Sequence, residues 1–132
     1  MLTSQKPLSF FDLCKYRLRM SEIVEFPISK VPEWSKKSEL IELFKIAKSS
    51  FYELIRLSQW LEDFEADYPT ANIVPIKRAK LSRYQAWVIF LLNQYRTSIG
   101  IPFKELRKQL IEQSQLAQSL SKSTYLSLYT NE

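Results

Sequence analysis

A short segment near the middle of the chain places hydroxyl, phenolic and cationic side chains at helical spacing. Phe51, Leu54 and Ile55 recur at the intervals that put apolar side chains on one face of an α-helix. The polar side chains between them then share the opposite face, where lysine, arginine and serine can bond phosphate oxygens or base edges. The positive end of the helix dipole at the N-terminus also favours phosphate. The candidate residues for this chemistry are Lys48, Ser49, Ser50, Tyr52 and Arg56.

A second group of cations follows an acidic stretch. Residues 61–69 carry four acidic side chains and no basic one, whereas residues 72–84 carry four basic side chains and no acidic one. Such segregation confines the attraction for phosphate to the basic part of the surface. The net charge of +5 agrees with a polyanionic partner. Short β-prone runs beside turn-forming residues in 67–81 predict a small hairpin that carries part of this group. The four cations are Lys77, Arg78, Lys80 and Arg83.

The composition disfavours most enzymatic and metal-binding sites. The 132 residues include no histidine, which removes the commonest general base and the commonest metal ligand. The single cysteine, Cys14, can form neither an internal disulfide nor a zinc site alone, and one glycine cannot build a glycine-rich phosphate loop. The chain has no signal-peptide pattern and no apolar run that could span a bilayer. We therefore expect a cytoplasmic protein that is not an enzyme and has no catalytic residues, no metal and no cofactor.

The candidate residues must be positioned by helices. Ser35 or Ser38 is predicted to be the N-cap of a first helix, which residues 45–47 connect tightly to the next one. That second helix is predicted to extend from Lys48 to about Ala66. Residues 1–34 form an extension with one helix near its middle, and the pattern does not reveal its role. The tryptophans are expected to be core or interface anchors rather than platforms for base stacking; they are Trp34, Trp60 and Trp87.

The C-terminal half is predicted to contain a buried helix and a dimerisation helix. Ser82 is a good N-cap for a helix that is apolar nearly all round, and Gly100 suits its C-terminal cap. Pro102 then starts a last helix whose apolar residues alternate three and four apart, as in a short coiled-coil seam. Residues 121–125 are predicted to be a fraying tail. The seam residues are Leu106, Leu110, Ala117 and Leu120.

The sequence ELIELFKIAKSSFYELIR, residues 39–56, resembles the helix-turn-helix of bacterial DNA-binding proteins. In that comparison Ile46 is the buried residue of the turn and Ala47 replaces the usual capping serine. Lys48 to Tyr52 then correspond to the start of a recognition helix, whose N-terminal residues contact base edges in the major groove. Lys45 stands where the turn usually has glycine.

The order of the later elements resembles the MerR family of transcriptional regulators. Residues 72–81 correspond to the wing, and Arg83 and Tyr84 to the pair that closes it. IGIPFKELRKQL, residues 99–110, resembles the family's glycine-containing turn and following helix. The resemblance covers about residues 36–120 and extends to the small repressors that accompany cyanobacterial type V-K CRISPR-associated transposons. The chain differs from most members in its N-terminal extension and in lacking metal-binding cysteines or a ligand domain.

This resemblance implies a mainly α fold: a winged helix-turn-helix over 35–100, with a small two-stranded wing, and a dimerisation helix with a tail over 101–132. It further implies a homodimer that binds an inverted repeat in double-stranded DNA and represses transcription, with no small-molecule effector and no membrane. Two alternatives stay open. One is a helical interaction module that binds RNA or a protein, such as a small subunit of a nucleoprotein complex of RNA or CRISPR type. The other is a DNA-end-binding accessory factor in transposition or excision.

Overall fold

The computed structural model describes residues 25–68, 70–71, 74–75, 80–112 and 114–129. Of the described residues 73% are helical, which confirms the mainly α prediction. The predicted helix in residues 1–24 and the cations Lys77 and Arg78 lie outside the described residues. The helices are α1 Lys37–Phe44, α2 Lys48–Ser58, α3 Glu62–Ala66, α4 Arg83–Ile99, α5 Phe103–Glu112, α6 Ser114–Ser119 and α7 Lys122–Tyr129, preceded by a 3-10 helix at Ile28–Lys30.

Four two-residue strands form two small antiparallel pairs. They are β1 Trp34–Ser35, β2 Thr70–Ala71, β3 Val74–Pro75 and β4 Leu81–Ser82. Strands β2 and β3 pair with each other within the segment where a hairpin is predicted. Strand β1 pairs with β4, a contact between distant parts of the chain that the sequence pattern does not predict.

Helix α4 is the buried centre of the fold, and both of its predicted caps are confirmed. The Ser82 hydroxyl accepts a hydrogen bond from the Gln85 N–H at 3.1 Å, and Gln85 Oε1 accepts one from the Ser82 N–H at 2.8 Å. This reciprocal pair satisfies two backbone donors that the helix itself cannot. At the other end Gly100 adopts φ 80° and ψ 39°, a left-handed conformation that glycine enters without a steric penalty.

The first two helices differ from the prediction at their ends. The N-cap of α1 is Lys36 rather than a serine, and its N–H donates to Glu39 Oε1 at 2.9 Å. Helix α2 stops at Ser58, and the chain turns through Leu61 into the separate helix α3. This turn buries Leu61 and Phe64 in the core, and it places acidic side chains in the first turn of α3, where the helix dipole stabilises them.

The predicted dimerisation helix is not one continuous helix. The chain forms α5, α6 and α7 instead, and the side chains of Leu106, Leu110 and Leu120 lie at most 4% exposed in the core of the same chain. Ala117 is half-buried against that core. The predicted seam with a second copy is therefore wrong for Leu106, Leu110 and Leu120, because folding of the chain already removes their side chains from water.

The segment predicted to be a fraying tail belongs to the core. Helix α7 packs on α4, and Tyr125 is 7% exposed. The Tyr125 ring centroid lies 5.6 Å from that of Tyr84 and 5.4 Å from that of Trp87, distances typical of favourable aromatic pairs. No helix in the described part of the chain is both long and apolar enough to cross a membrane.

Acidic side chains of α3 and the turn after it attach α7 to the body of the fold. Asp63 Oδ2 accepts a hydrogen bond from the Lys122 N–H at 2.9 Å. Asp67 accepts one from the Ser82 hydroxyl and forms an ion pair with the Lys122 ammonium group. The Tyr84 hydroxyl donates to the Leu120 carbonyl at 2.6 Å, and burial together with these two carboxylates raises the pKa of Tyr84 far above its usual value.

Replacing Asp63 with alanine should lower the free energy of unfolding by about 1 kcal/mol, because the backbone N–H of Lys122 in the first turn of α7 loses its carboxylate acceptor. Urea denaturation followed by circular dichroism measures this change. Glu62→Ala is the matched control: Glu62 is an exposed acid in the same first turn of α3, so it reports the helix-dipole contribution alone. Equal losses for the two variants would contradict the capping role of Asp63.

Candidate nucleic-acid interface

Helix α2 separates buried apolar side chains from exposed polar ones. Phe51 and Leu54 are fully buried and Ile55 is 7% exposed, so this face packs into the core, mainly against α4. Four of the candidate residues are exposed on the other face, whereas Ser50 is half-buried at the edge of the packed side. We call this the α2 face; it consists of Lys48, Ser49, Ser50, Tyr52 and Arg56.

The turn between α1 and α2 orients this face. Lys45 adopts φ 57° and ψ 45°, the left-handed conformation, and Ile46 behind it is buried as predicted. The Ile46 N–H donates to the Ile41 carbonyl at 3.2 Å, which closes the end of α1. The left-handed conformation is the one that glycine would adopt most easily, and lysine adopts it here at a steric cost.

The N-terminus of α2 differs from that of α4. Its N-cap is Ala47, whose methyl side chain cannot accept a hydrogen bond, whereas Ser82 caps α4 with its hydroxyl. The first-turn N–H groups of α2 therefore receive no bond from their N-cap side chain, and they lie beside exposed Lys48 and Ser49. Backbone donors and a cation in this arrangement can bind an anionic group such as phosphate.

A lysine from α1 joins the α2 face. The Lys37 ammonium nitrogen lies 5.8 Å from the centre of the Tyr52 ring, and the Phe51 ring contacts the same tyrosine. Partial burial lowers the pKa of Lys37. Sequence reasoning missed this residue, since Lys37 meets Tyr52 only after α1 and α2 have packed together.

Arg56, near the C-terminal end of α2, is well exposed and held by a neighbour. Its guanidinium group forms an ion pair with Glu53, and its side chain is 67% exposed. Both residues line an open groove of about 570 Å³ together with Trp60 and Arg107. The Arg107 guanidinium carbon lies 5.6 Å from the Trp60 ring centre. A pattern confined to residues 48–56 gives no signal for this partner on α5.

The predicted second group of cations is divided by the structure. Lys80 is exposed immediately before β4. Arg83 instead has an internal role: its Nε donates to the Val31 carbonyl at 2.6 Å and its backbone N–H to the Glu33 carbonyl at 3.0 Å. These bonds attach residues 31–33 to the start of α4. Arg83 is therefore removed from the predicted phosphate contacts.

The tryptophans occupy three different environments. Trp87 is 1% exposed in the core, as expected for a core anchor. Trp34 is 39% exposed and Trp60 is 56% exposed, so neither of these two rings is buried in the chain. Trp60 lines the same groove as Glu53 and Arg56, next to the α2 face.

The described residues contain no cluster of three or more acidic, histidine or cysteine side chains that could hold a metal ion. Comparison of the chain with protein-family models, curated proteins and solved structures found no match.

Replacing Lys45 with glycine should raise the free energy of unfolding by up to about 1 kcal/mol, because the left-handed conformation then carries no Cβ clash. Lys45→Ala is the control, since it removes the same charge but keeps the clash. Thermal or urea unfolding distinguishes the two. A glycine variant no more stable than the alanine variant would contradict strain at this turn.

Proposed function

We propose that the chain is a sequence-specific DNA-binding transcriptional regulator that reads duplex DNA through a winged helix-turn-helix. In this proposal α1 and α2 are the two helices of the motif, and residues 72–81 are the wing. The observation that carries the proposal is the α2 face: exposed cationic and hydroxyl side chains on a helix whose other side is anchored in the core.

The dimensions of the major groove fit this helix. The groove is about 12 Å wide and admits one α-helix with its side chains. With α2 lying along the groove, its N-terminal N–H groups and Lys48 contact a phosphate, while Ser49 and Tyr52 reach base edges or sugars. Arg56 is the residue best suited to reading a base, since a guanidinium group bonds guanine O6 and N7 in a bidentate manner.

The ion pair with Glu53 supports this role for Arg56. It restrains the long side chain along α2 before DNA arrives, so less conformational entropy is lost on binding. Glu53 also has an acceptor that can bond the amino group of a cytosine. Lys80 is exposed immediately before strand β4. In this proposal its ammonium group contacts a flanking phosphate.

We propose a homodimer, since two copies place two such helices in successive major grooves and read an inverted repeat. Because Leu106, Leu110 and Leu120 are in the core, the second copy must pack on other side chains. Large apolar residues that remain exposed on α5 and α7 are Ile111, Leu126 and Leu128. Bound over a promoter, the dimer blocks polymerase sterically.

Selection from a pool of random duplex DNA at about 0.15 M salt tests this proposal directly. We expect enrichment of an inverted repeat with half-sites about 10 base pairs apart, or a multiple of that distance. Tighter binding of single-stranded RNA than of duplex DNA, with no enriched duplex sequence, would overturn the proposal in favour of a nucleoprotein subunit.

Two variants separate base reading from phosphate binding on the enriched site. Arg56→Ala should cost about 1–3 kcal/mol on that site and little on random DNA, because a base contact is lost. Lys80→Ala should weaken binding to both DNAs by the same factor, because phosphates are alike in every sequence. Titrations of both variants on both DNAs measure this. An equal loss on both DNAs for Arg56→Ala would remove Arg56 from base recognition.

A further inference from the structure

Helix α5 has a basic face opposite the side on which the sequence predicts a dimer seam. Lys104, Arg107 and Lys108 are exposed, and their spacing of three and four residues places them on one side of the helix. The opposite side holds Leu106, Gln109 and Leu110, which are buried in the core. Packing of the buried side in the core therefore turns all three cations toward solvent.

This basic face is continuous with the α2 face. Arg107 lines the groove of about 570 Å³ in which Arg56 and Trp60 also lie. Arg107 lines a second open groove of about 450 Å³ as well, together with Lys104, Lys108 and Ile111. One guanidinium group thus stands where the two grooves meet, at the C-terminal end of α2.

The cations of this surface are only partly balanced by neighbouring acids. Glu53 is paired with Arg56, Glu105 accepts a hydrogen bond from Gln109, and Glu112 lines the second groove together with the three cations. Among the described residues no carboxylate forms an ion pair with Arg107. Its guanidinium group lies over the Trp60 ring. A guanidinium group stacked on an indole keeps its N–H donors free for an anion.

We propose that Lys104, Arg107 and Lys108 bind the sugar-phosphate backbone of the duplex whose major groove α2 enters, along the strand next to the C-terminal end of α2. Trp60 is the positioning residue that holds Arg107 toward that strand. The proposal rests on the proposed function, because α2 must lie in the groove for α5 to reach the strand beside it. The charge complementarity between three exposed cations and a phosphate row identifies the ligand.

The salt dependence of DNA binding tests this assignment in the full-length protein. The slope of log affinity against log salt should decrease by about 0.9 for Arg107→Ala and by about 2.7 for the triple variant Lys104→Ala, Arg107→Ala, Lys108→Ala. At about 0.15 M salt each lost contact corresponds to roughly fivefold weaker binding. The loss should be equal on the enriched site and on random duplex DNA, so the ratio between them stays unchanged.

Lys30→Ala is the control for net charge, since Lys30 is exposed outside α5 and the α2 face. A decrease in slope as large for Lys30→Ala as for Arg107→Ala would overturn the assignment. Trp60→Ala should lower the affinity in the same direction as Arg107→Ala, and Trp60→Phe should restore it, because phenylalanine keeps an aromatic face. Circular dichroism of each variant checks that the fold is intact.

The two proposals fail in different ways. Wild-type protein that selects an inverted repeat, together with α5 variants that bind it with unchanged slope, would overturn the role of α5 and leave the proposed function standing. Wild-type protein that selects no duplex sequence would overturn both. Loss of binding to single-stranded RNA alone in the α5 variants would also overturn the assignment, since it places a different polyanion on this face.

Discussion

The burial of α4 is the constraint on which the rest of the structure depends. Trp87, Val88 and Ile89 are at most 1% exposed, so side chains all round this helix must be covered by other elements. Helix α2 covers one part, α3 another, and α7 returns from the C-terminus to cover a third. Burial of this much apolar surface is the largest favourable contribution to folding, and it also determines which side of α2 remains exposed.

The buried polar contacts then determine how the covering helices are oriented. The Gln85 amide donates to the Phe64 carbonyl at 2.8 Å, which joins α4 to α3. Asp63 and Asp67 join α3 and the turn after it to the start of α7, while Arg83 joins the start of α4 to residues 31–33. Each of these bonds satisfies a group that would cost free energy if it were buried alone. Because the groups lie far apart in sequence, these bonds select one arrangement of the helices.

The two basic surfaces follow from the same packing. Phe51 and Leu54 hold α2, and Leu106 and Leu110 hold α5, so each helix turns its cations away from the core. The surfaces meet where Arg107 stacks on Trp60 near Arg56.

Much of the local structure could be predicted from the sequence by itself. The apolar period of α2, the N-cap at Ser82, the glycine cap at residue 100 and the short connection between α1 and α2 depend on near neighbours, and all of them are present in the structure. The exposure of the α2 face is another such feature, because the spacing of Phe51, Leu54 and Ile55 defines the opposite side. The sequence pattern determined which regions are helical and which side of α2 is polar, but it did not predict the break after Ser58 or the division of the last helix.

The tertiary structure decided which apolar stripe would be covered by the chain itself and which cations would be left exposed. The stripe of Leu106 and Leu110 has the spacing of a coiled-coil seam, yet it is buried in the core of the same chain, where the Tyr95 hydroxyl of α4 donates to Gln109 Oε1 of α5 at 2.7 Å. Arg83 looks like a phosphate contact in sequence, but it bonds the Val31 carbonyl, which only the fold brings near. Lys37 and Arg107 join the basic surfaces for the same reason. Periodicity specifies a face of a helix, whereas its partner depends on contacts between residues far apart in the chain, and those contacts exist only once the core has formed.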